Sequence, residues 1–140
     1  MPTRRASAVW EGGIDGRGSF DGESGAIKGA YSVGSRFADG QGSNPEELLA
    51  AAEAACYSMA LSLALEKAGT PVTRVETEAA CSVEKAGEGW KITTMKLNVR
   101  AAVPGVADAA FQKAARDAME NCPVSQALKG VQIDVDATLI

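Results

Sequence analysis

Residues 44–69 constrain this chain more than any other segment. Asn44 is a residue type that caps helix N-termini, Pro45 fits the first helical position, and Glu47 completes an Asn-x-x-Glu capping pattern. Glu46 and Glu47 place negative charge at the positive end of the helix dipole. Gly69, with Pro71 beyond it, stops the helix after Ala68. Between these signals runs Leu48–Leu65, LLAAAEAACYSMALSLAL, the one candidate for a membrane span. Glu53 near its middle is expensive in lipid, so the segment is expected to be a core helix with no membrane partner. Leu48, Ala52, Cys56, Met59 and Leu63 recur at helical spacing and are expected to form its buried face.

The remaining elements are shorter. Most of the 15 glycines precede the helix, and Gly12-Gly13, Asp15-Gly16, Asp21-Gly22 and Ser24-Gly25 read as turns. They divide residues 6–39 into an antiparallel meander of three strands, about 6–11, 17–22 and 30–36. After the helix, Val75, Thr77, Ala79, Cys81 and Val83 alternate on one strand face, and Ala86-Gly87-Glu88-Gly89 makes a turn. The return strand carries Trp90 and Ile92, then Met95, Leu97, Val99, Ala101 and Val103. The alternation slips by one between Ile92 and Met95, which predicts a β-bulge near Thr93–Thr94.

Pro104-Gly105 ends the hairpin, and a second helix is expected over residues 107–120. Phe111, Ala115, Ala118 and Cys122 form its apolar stripe. Pro123 interrupts it and can open a short helix through Lys129, capped by Gly130. Val131, Ile133, Val135, Ala137 and Leu139 then alternate inward on a last strand. The order βββ-α-ββ-α(α)-β describes one α+β domain over residues 1–140, with antiparallel sheets around a long central helix. A chain of 140 residues can bury a core without disulfides or metal.

Composition removes several functions. There is no histidine, hence no Ser-His-Asp triad, no Cys-His dyad and no histidine-ligated zinc. The net charge of −4 argues against nucleic-acid binding and against a polybasic membrane contact. Three cysteines, widely spaced and without a CxxC, do not make a secreted disulfide framework or a thiolate zinc site. No apolar signal-peptide core follows Arg4-Arg5. A cytoplasmic protein with reduced thiols is expected.

Cys56 and Cys122 each lie on the apolar stripe of a helix, so a two-layer fold can bring them together. Buried free cysteines are common, and packing alone would also account for both. Judged locally, Cys122 is the more easily activated, because it precedes the short helix that Pro123 opens. Cys56, in mid-helix, would need a cation such as Arg36. Arg36 reads either as a solvated edge residue at the end of the third strand or as a guanidinium held by Glu46 or Glu47. Cys81 reads as a core cysteine of the sheet.

Three segments occur together in order: Ala8-Val9-Trp10-Glu11-Gly12, Ser43 to Leu49 followed by Ala54-Ala55-Cys56-Tyr57-Ser58-Met59-Ala60-Leu61, and Asn121-Cys122-Pro123-Val124-Ser125-Gln126. Together they resemble the OsmC/Ohr family over nearly the whole chain. The Cys-Pro-Val-Ser-Gln form, with Phe37 after Arg36, resembles the OsmC branch.

The resemblance implies a thiol peroxidase that reduces hydroperoxides, organic ones preferentially. It assigns Cys56 as the peroxidatic and Cys122 as the resolving cysteine, Arg36 as the group that stabilises the thiolate, and Glu46 as the carboxylate that orients Arg36. Glu47 remains a cap. It also implies an intertwined homodimer, and recycling by an external dithiol of lipoyl or thioredoxin type, with no metal or cofactor. Phe37 and Met59 are expected to line an apolar pocket beside Cys56. Two other readings fit the same residues: a non-catalytic dimeric module for a lipophilic ligand, and a cysteine redox sensor.

Overall fold

The computed structural model describes residues 1–140 as two compact units, Met1–Leu48 and Leu49–Ile140.

The first unit is built on strands β1 (Ala6–Glu11), β2 (Arg17–Gly22) and β3 (Lys28–Tyr31), paired antiparallel in that order. Gly18 lies between Trp10 and Tyr31 in the pairing, and a Cβ there would sit 2.4 Å from the Tyr31 ring. Its absence lets the two rings approach to 5.6 Å between centroids.

The third strand is shorter than the expected 30–36, and residues 33–37 instead form a short helix, α1 (Val33–Phe37). A capping box explains the switch. Ser35 N–H donates to Ser32 Oγ at 3.0 Å, and Ser32 N–H donates to Ser35 Oγ at 2.8 Å. Arg36 therefore sits in the last turn of a helix rather than at a strand end. Asn44 ties α1 to the start of the next helix. Its Nδ2 donates to Ser35 O at 3.0 Å, and its Oδ1 accepts from Glu47 N–H at 2.8 Å as an N-cap.

That next helix, α2 (Pro45–Lys67), begins in the first unit, and its body belongs to the second. It ends where expected, with Gly69 at φ +88°. The second unit continues with β4 (Arg74–Ala86), β5 (Gly89–Ala102), α3 (Asp108–Asn121), α4 (Pro123–Ala127) and β6 (Gln132–Leu139). Its sheet runs β4-β5-β6, with β5 in the middle. Pairing steps from Ser82↔Thr94 to Val83↔Ile92, so Thr93 is the extra residue of the expected bulge. One pairing departs from the antiparallel expectation: β6 runs parallel to β5. The crossover through α3 and α4 is long enough to return the chain to the same end of the sheet, as parallel pairing requires.

Met95, Leu97, Val99 and Ala101 of β5 are buried against Tyr57, Leu61 and Leu65 of α2 and Phe111, Ala115 and Ala118 of α3. The α3 stripe is the one the sequence predicts. The α2 stripe is not. Its buried face carries Glu53, Tyr57, Leu61 and Leu65, whereas Met59 is 75% and Leu63 50% exposed. Alanine and leucine surround this helix on almost every side, so several stripes satisfy helical spacing. Tyr57 decides among them, because it offers the largest side chain and its hydroxyl donates to Ala115 O at 2.9 Å inside the core. The helix is long and apolar enough to cross a membrane by length and composition, but Tyr57, Leu61 and Leu65 belong to the core cluster.

Burial holds the Tyr57 phenol well above its ordinary value of 10.0. A phenol raised in the folded state contributes stability that is complete below the unfolded value. That stability is lost as pH climbs above about 10, where only the unfolded chain ionises. Resistance to urea should therefore fall on the alkaline side in wild type. In Tyr57→Phe that decline should flatten, with a loss of about 1 kcal/mol at neutral pH from the missing hydrogen bond. An identical alkaline decline in both proteins would exclude Tyr57 as its source.

Candidate functional site

The site is assembled where α3 breaks. Cys122 is at once the last cap of α3 and the first cap of α4, with φ −59° and ψ 126°. Its N–H donates to Ala118 O at 3.0 Å, and its carbonyl accepts from Gln126 N–H at 2.9 Å. Pro123 follows at the first position of α4, where its missing N–H leaves nothing unsatisfied. This break turns the Phe111–Ala115–Ala118 stripe toward α2 and buries Cys122 completely.

Cys56 of α2 lies opposite. The two thiols are hydrogen-bonded to each other, and no disulfide joins them. Cys56 is half-buried and Cys122 sealed. The Cys56 sulfur also accepts the Val124 N–H from the first turn of α4. Burial pushes the Cys56 thiol up, and the hydrogen bond with Cys122 pushes it the same way. The Val124 N–H opposes them, while the charges of Cys122 and Glu53 add to the rise.

A groove of about 450 Å³ opens from Cys56 along α2. Met59 and Leu63 line one wall, and Asp117, Asn121 and Pro123 the other, with Lys67 at the far end. Met59 is thus in the groove as expected. Seen along α2, Cys56 and Lys67 are eleven residues apart, roughly 16 Å at the helical rise.

Arg36 and Glu46 form a second constellation, inside the first unit. Arg36 Nε donates to both Glu46 carboxylate oxygens at 3.1 Å, and Nη2 donates to Oε1 at 2.6 Å. Glu46, rather than Glu47, is therefore the partner; Glu47 N–H is bound to the Asn44 cap. The carboxylate raises the Arg36 guanidinium further, so it remains a cation. Phe37 lies beneath it, with 5.1 Å from the guanidinium carbon to the ring centre. Phe37 thus supports the cation, a role that the expectation of a pocket wall did not include.

Cys81 sits half-buried on the inner face of β4, packed against the core. No three acidic or thiol side chains converge to hold a metal ion.

Two neighbours of the thiol pair carry no signal of that placement in the sequence. One is the Val124 N–H. The other is Glu53, fully buried one helical turn before Cys56, whose Oε1 accepts from Ser125 Oγ. The acid inside the apolar run argues for a core helix over a membrane span, and nothing in the run identifies its partner.

An α+β fold that seats one thiol on a long helix beside a second at a Cys-Pro helix break defines a class of cysteine-based redox proteins. Residues 38–136 match the family model described as OsmC-like protein, and the chain belongs to that family. It is 42% identical over 138 residues to Peroxiredoxin OsmC of Escherichia coli, covering 97% of this chain and 96% of that one. It is 36% identical over 104 residues to an organic hydroperoxide resistance protein of Xanthomonas axonopodis, covering 73% and 70%. Among solved structures it resembles organic hydroperoxide resistance protein OhrB of Bacillus subtilis, with a TM-score of 0.75, 26% identity, and coverage of 96% and 98%. These relationships make it a peroxidase-type enzyme.

The difference in exposure predicts an order of alkylation. With a small iodoacetamide reagent, mass mapping should find Cys56 modified in the folded protein and Cys122 only after unfolding. Equal rates at the two cysteines would contradict the sealed position of Cys122.

Proposed function

We propose that this chain reduces hydroperoxides, organic ones preferentially, through a Cys56 sulfenic acid and a Cys56–Cys122 disulfide. The observation that carries the proposal is the asymmetry of the thiol pair: the sulfurs are hydrogen-bonded, one open to an apolar groove and the other closed to solvent.

The Cys56 thiolate attacks the terminal peroxide oxygen. The S–O bond forms as the O–O bond breaks, and the departing alkoxide takes up the proton that Cys56 released on ionising, giving the sulfenic acid and the alcohol. Cys122 sulfur then attacks Cys56 sulfur. The S–O bond breaks, water departs with the Cys122 proton, and the disulfide forms. An external dithiol, of lipoyl or thioredoxin type, opens the disulfide by exchange and is itself oxidised. The apolar groove favours alkyl peroxides by roughly 0.8 kcal/mol per buried CH₂.

The first step needs a cation. Burial, Cys122 and Glu53 all disfavour the Cys56 thiolate, and the Val124 N–H alone counters them. Arg36 is the proposed source of positive charge, and Glu46 and Phe37 are proposed to hold it in one orientation. Its Nε and Nη2 donors are engaged by Glu46, while those on Nη1 lie outside that pair. A homodimer belongs to the same proposal, supported by the exposed Met59 and Leu63 on α2.

Turnover of tert-butyl hydroperoxide with a dithiol tests the assignment. Cys56→Ser should lose consumption altogether. Cys122→Ser should give one fast oxidation and then stall unless a monothiol is added. Full turnover by Cys56→Ser would overturn the proposal. Arg36→Met should push the Cys56 thiol higher, so its alkylation at about pH 8 slows and the pH profile moves to the alkaline side. An unmoved profile would remove Arg36 from the mechanism.

A further inference from the structure

Glu53 is a buried acid that neither the fold nor the peroxide chemistry accounts for. It is 0% exposed on the core face of α2. Oε1 accepts from Ser125 Oγ, while Oε2 is buried with no hydrogen-bond partner. A carboxyl in that state is a poor stabiliser, since desolvating it costs more than one hydrogen bond returns. A leucine or methionine would fill the space more cheaply. Nor does it help the attack on peroxide, because its charge works against a thiolate at Cys56.

Its one bond reaches the segment that carries the resolving cysteine. Cys122, Val124 and Ser125 lie within four residues of one another around the start of α4. Cys122 and Val124 both hydrogen-bond to Cys56, and Ser125 bonds to Glu53, three residues earlier on the same α2 face. α4 has only five residues, Pro123–Ala127, too few to hold a fixed orientation by its own backbone bonds. The side-chain bond from Ser125 to Glu53 supplies that orientation from inside the core.

We propose that Glu53 is a positioning residue for the resolving step, acting through Ser125 to hold Cys122 against Cys56 once Cys56 has become a sulfenic acid. The inference rests on the two-cysteine reaction proposed above. In that step the Cys122–sulfur bond to Cys56 forms, the sulfenic S–O bond breaks, and hydroxide and the thiol proton leave as water. The sulfenic sulfur is reduced and Cys122 oxidised, so no further reactant is needed. Cys122 must give up its proton to attack, so what Glu53 contributes to this step is the placement of the Cys122 segment through Ser125. Loss of the Glu53–Ser125 bond therefore bears on the second half of the reaction and not on the first.

Single-turnover kinetics separate the halves. The protein is mixed with one equivalent of tert-butyl hydroperoxide. Peroxide loss reports the first step, and loss of dimedone-trappable sulfenic acid, with mapped Cys56–Cys122 disulfide, reports the second. Ser125→Ala and Glu53→Leu should close the disulfide about tenfold more slowly, the scale of a lost hydrogen bond to a charged group, while peroxide loss is not slowed. Ser125→Thr should restore closure, because it keeps the hydroxyl. Glu53→Gln, which keeps an acceptor but removes the charge, should close at a near-normal rate and alkylate faster at Cys56. Closure at the wild-type rate in folded Ser125→Ala would overturn the inference. So would slow closure in Ser125→Thr and Glu53→Gln alike, which would indicate a packing effect. Absence of peroxide loss in the wild type would instead refute the peroxidase proposal, so the two failures are distinguishable.

Discussion

The contact between the Cys56 and Cys122 sulfurs is what the rest of the second unit serves. It joins residues far apart in the chain, and no local signal holds them together. Two features make it possible. Tyr57 anchors α2 to α3 through its bond to Ala115, which sets the rotation of α2 and leaves Cys56 beside the core rather than within it. The Cys-Pro break then ends α3 at the point where its buried stripe reaches α2. Had α3 continued by one more turn, Val124 N–H would be spent inside the helix instead of on the Cys56 sulfur.

Thiol chemistry in this setting is a balance of opposed terms. Burial keeps stray reagents from Cys122, and the proposed disulfide draws on a second thiol already beside Cys56. The same surroundings raise the Cys56 thiol and so reduce the thiolate available for attack. A helix N-terminal N–H offsets part of this, and a guanidinium is the proposed remainder. Arg36 suits that task because its cation persists at any physiological pH, and because Glu46 and Phe37 fix its plane.

Much of this was readable from residue order, and the misses share a cause. The caps of α2, the Thr93 bulge, the α3 stripe and the alternation of β6 each depend on contacts close in sequence or on a strict period. The buried face of α2 was not legible, because an alanine-rich helix has no single apolar side and Tyr57 found its partner 58 residues away. The Val33–Phe37 segment has the look of a strand until Ser32 and Ser35 cap each other. Parallel pairing of β6 depends on where a crossover returns, which residue patterns do not encode. At the site, Cys122 was visible by its type and its place on the α3 stripe and Cys56 by its type alone, since the stripe drawn through it is not the buried face of α2, whereas Glu53 and the Val124 N–H gain meaning only from what packs on them.

The central claim is that the two helical sulfurs form one redox unit from which Cys81 is excluded. Peptide mapping after one equivalent of an organic hydroperoxide, with rapid acid quenching, measures this directly. The account predicts a single intramolecular link between the peptides of Cys56 and Cys122, with Cys81 recovered as thiol. Recovery of Cys56 as sulfinic acid beside an unmodified Cys122, or a link to Cys81, would contradict it.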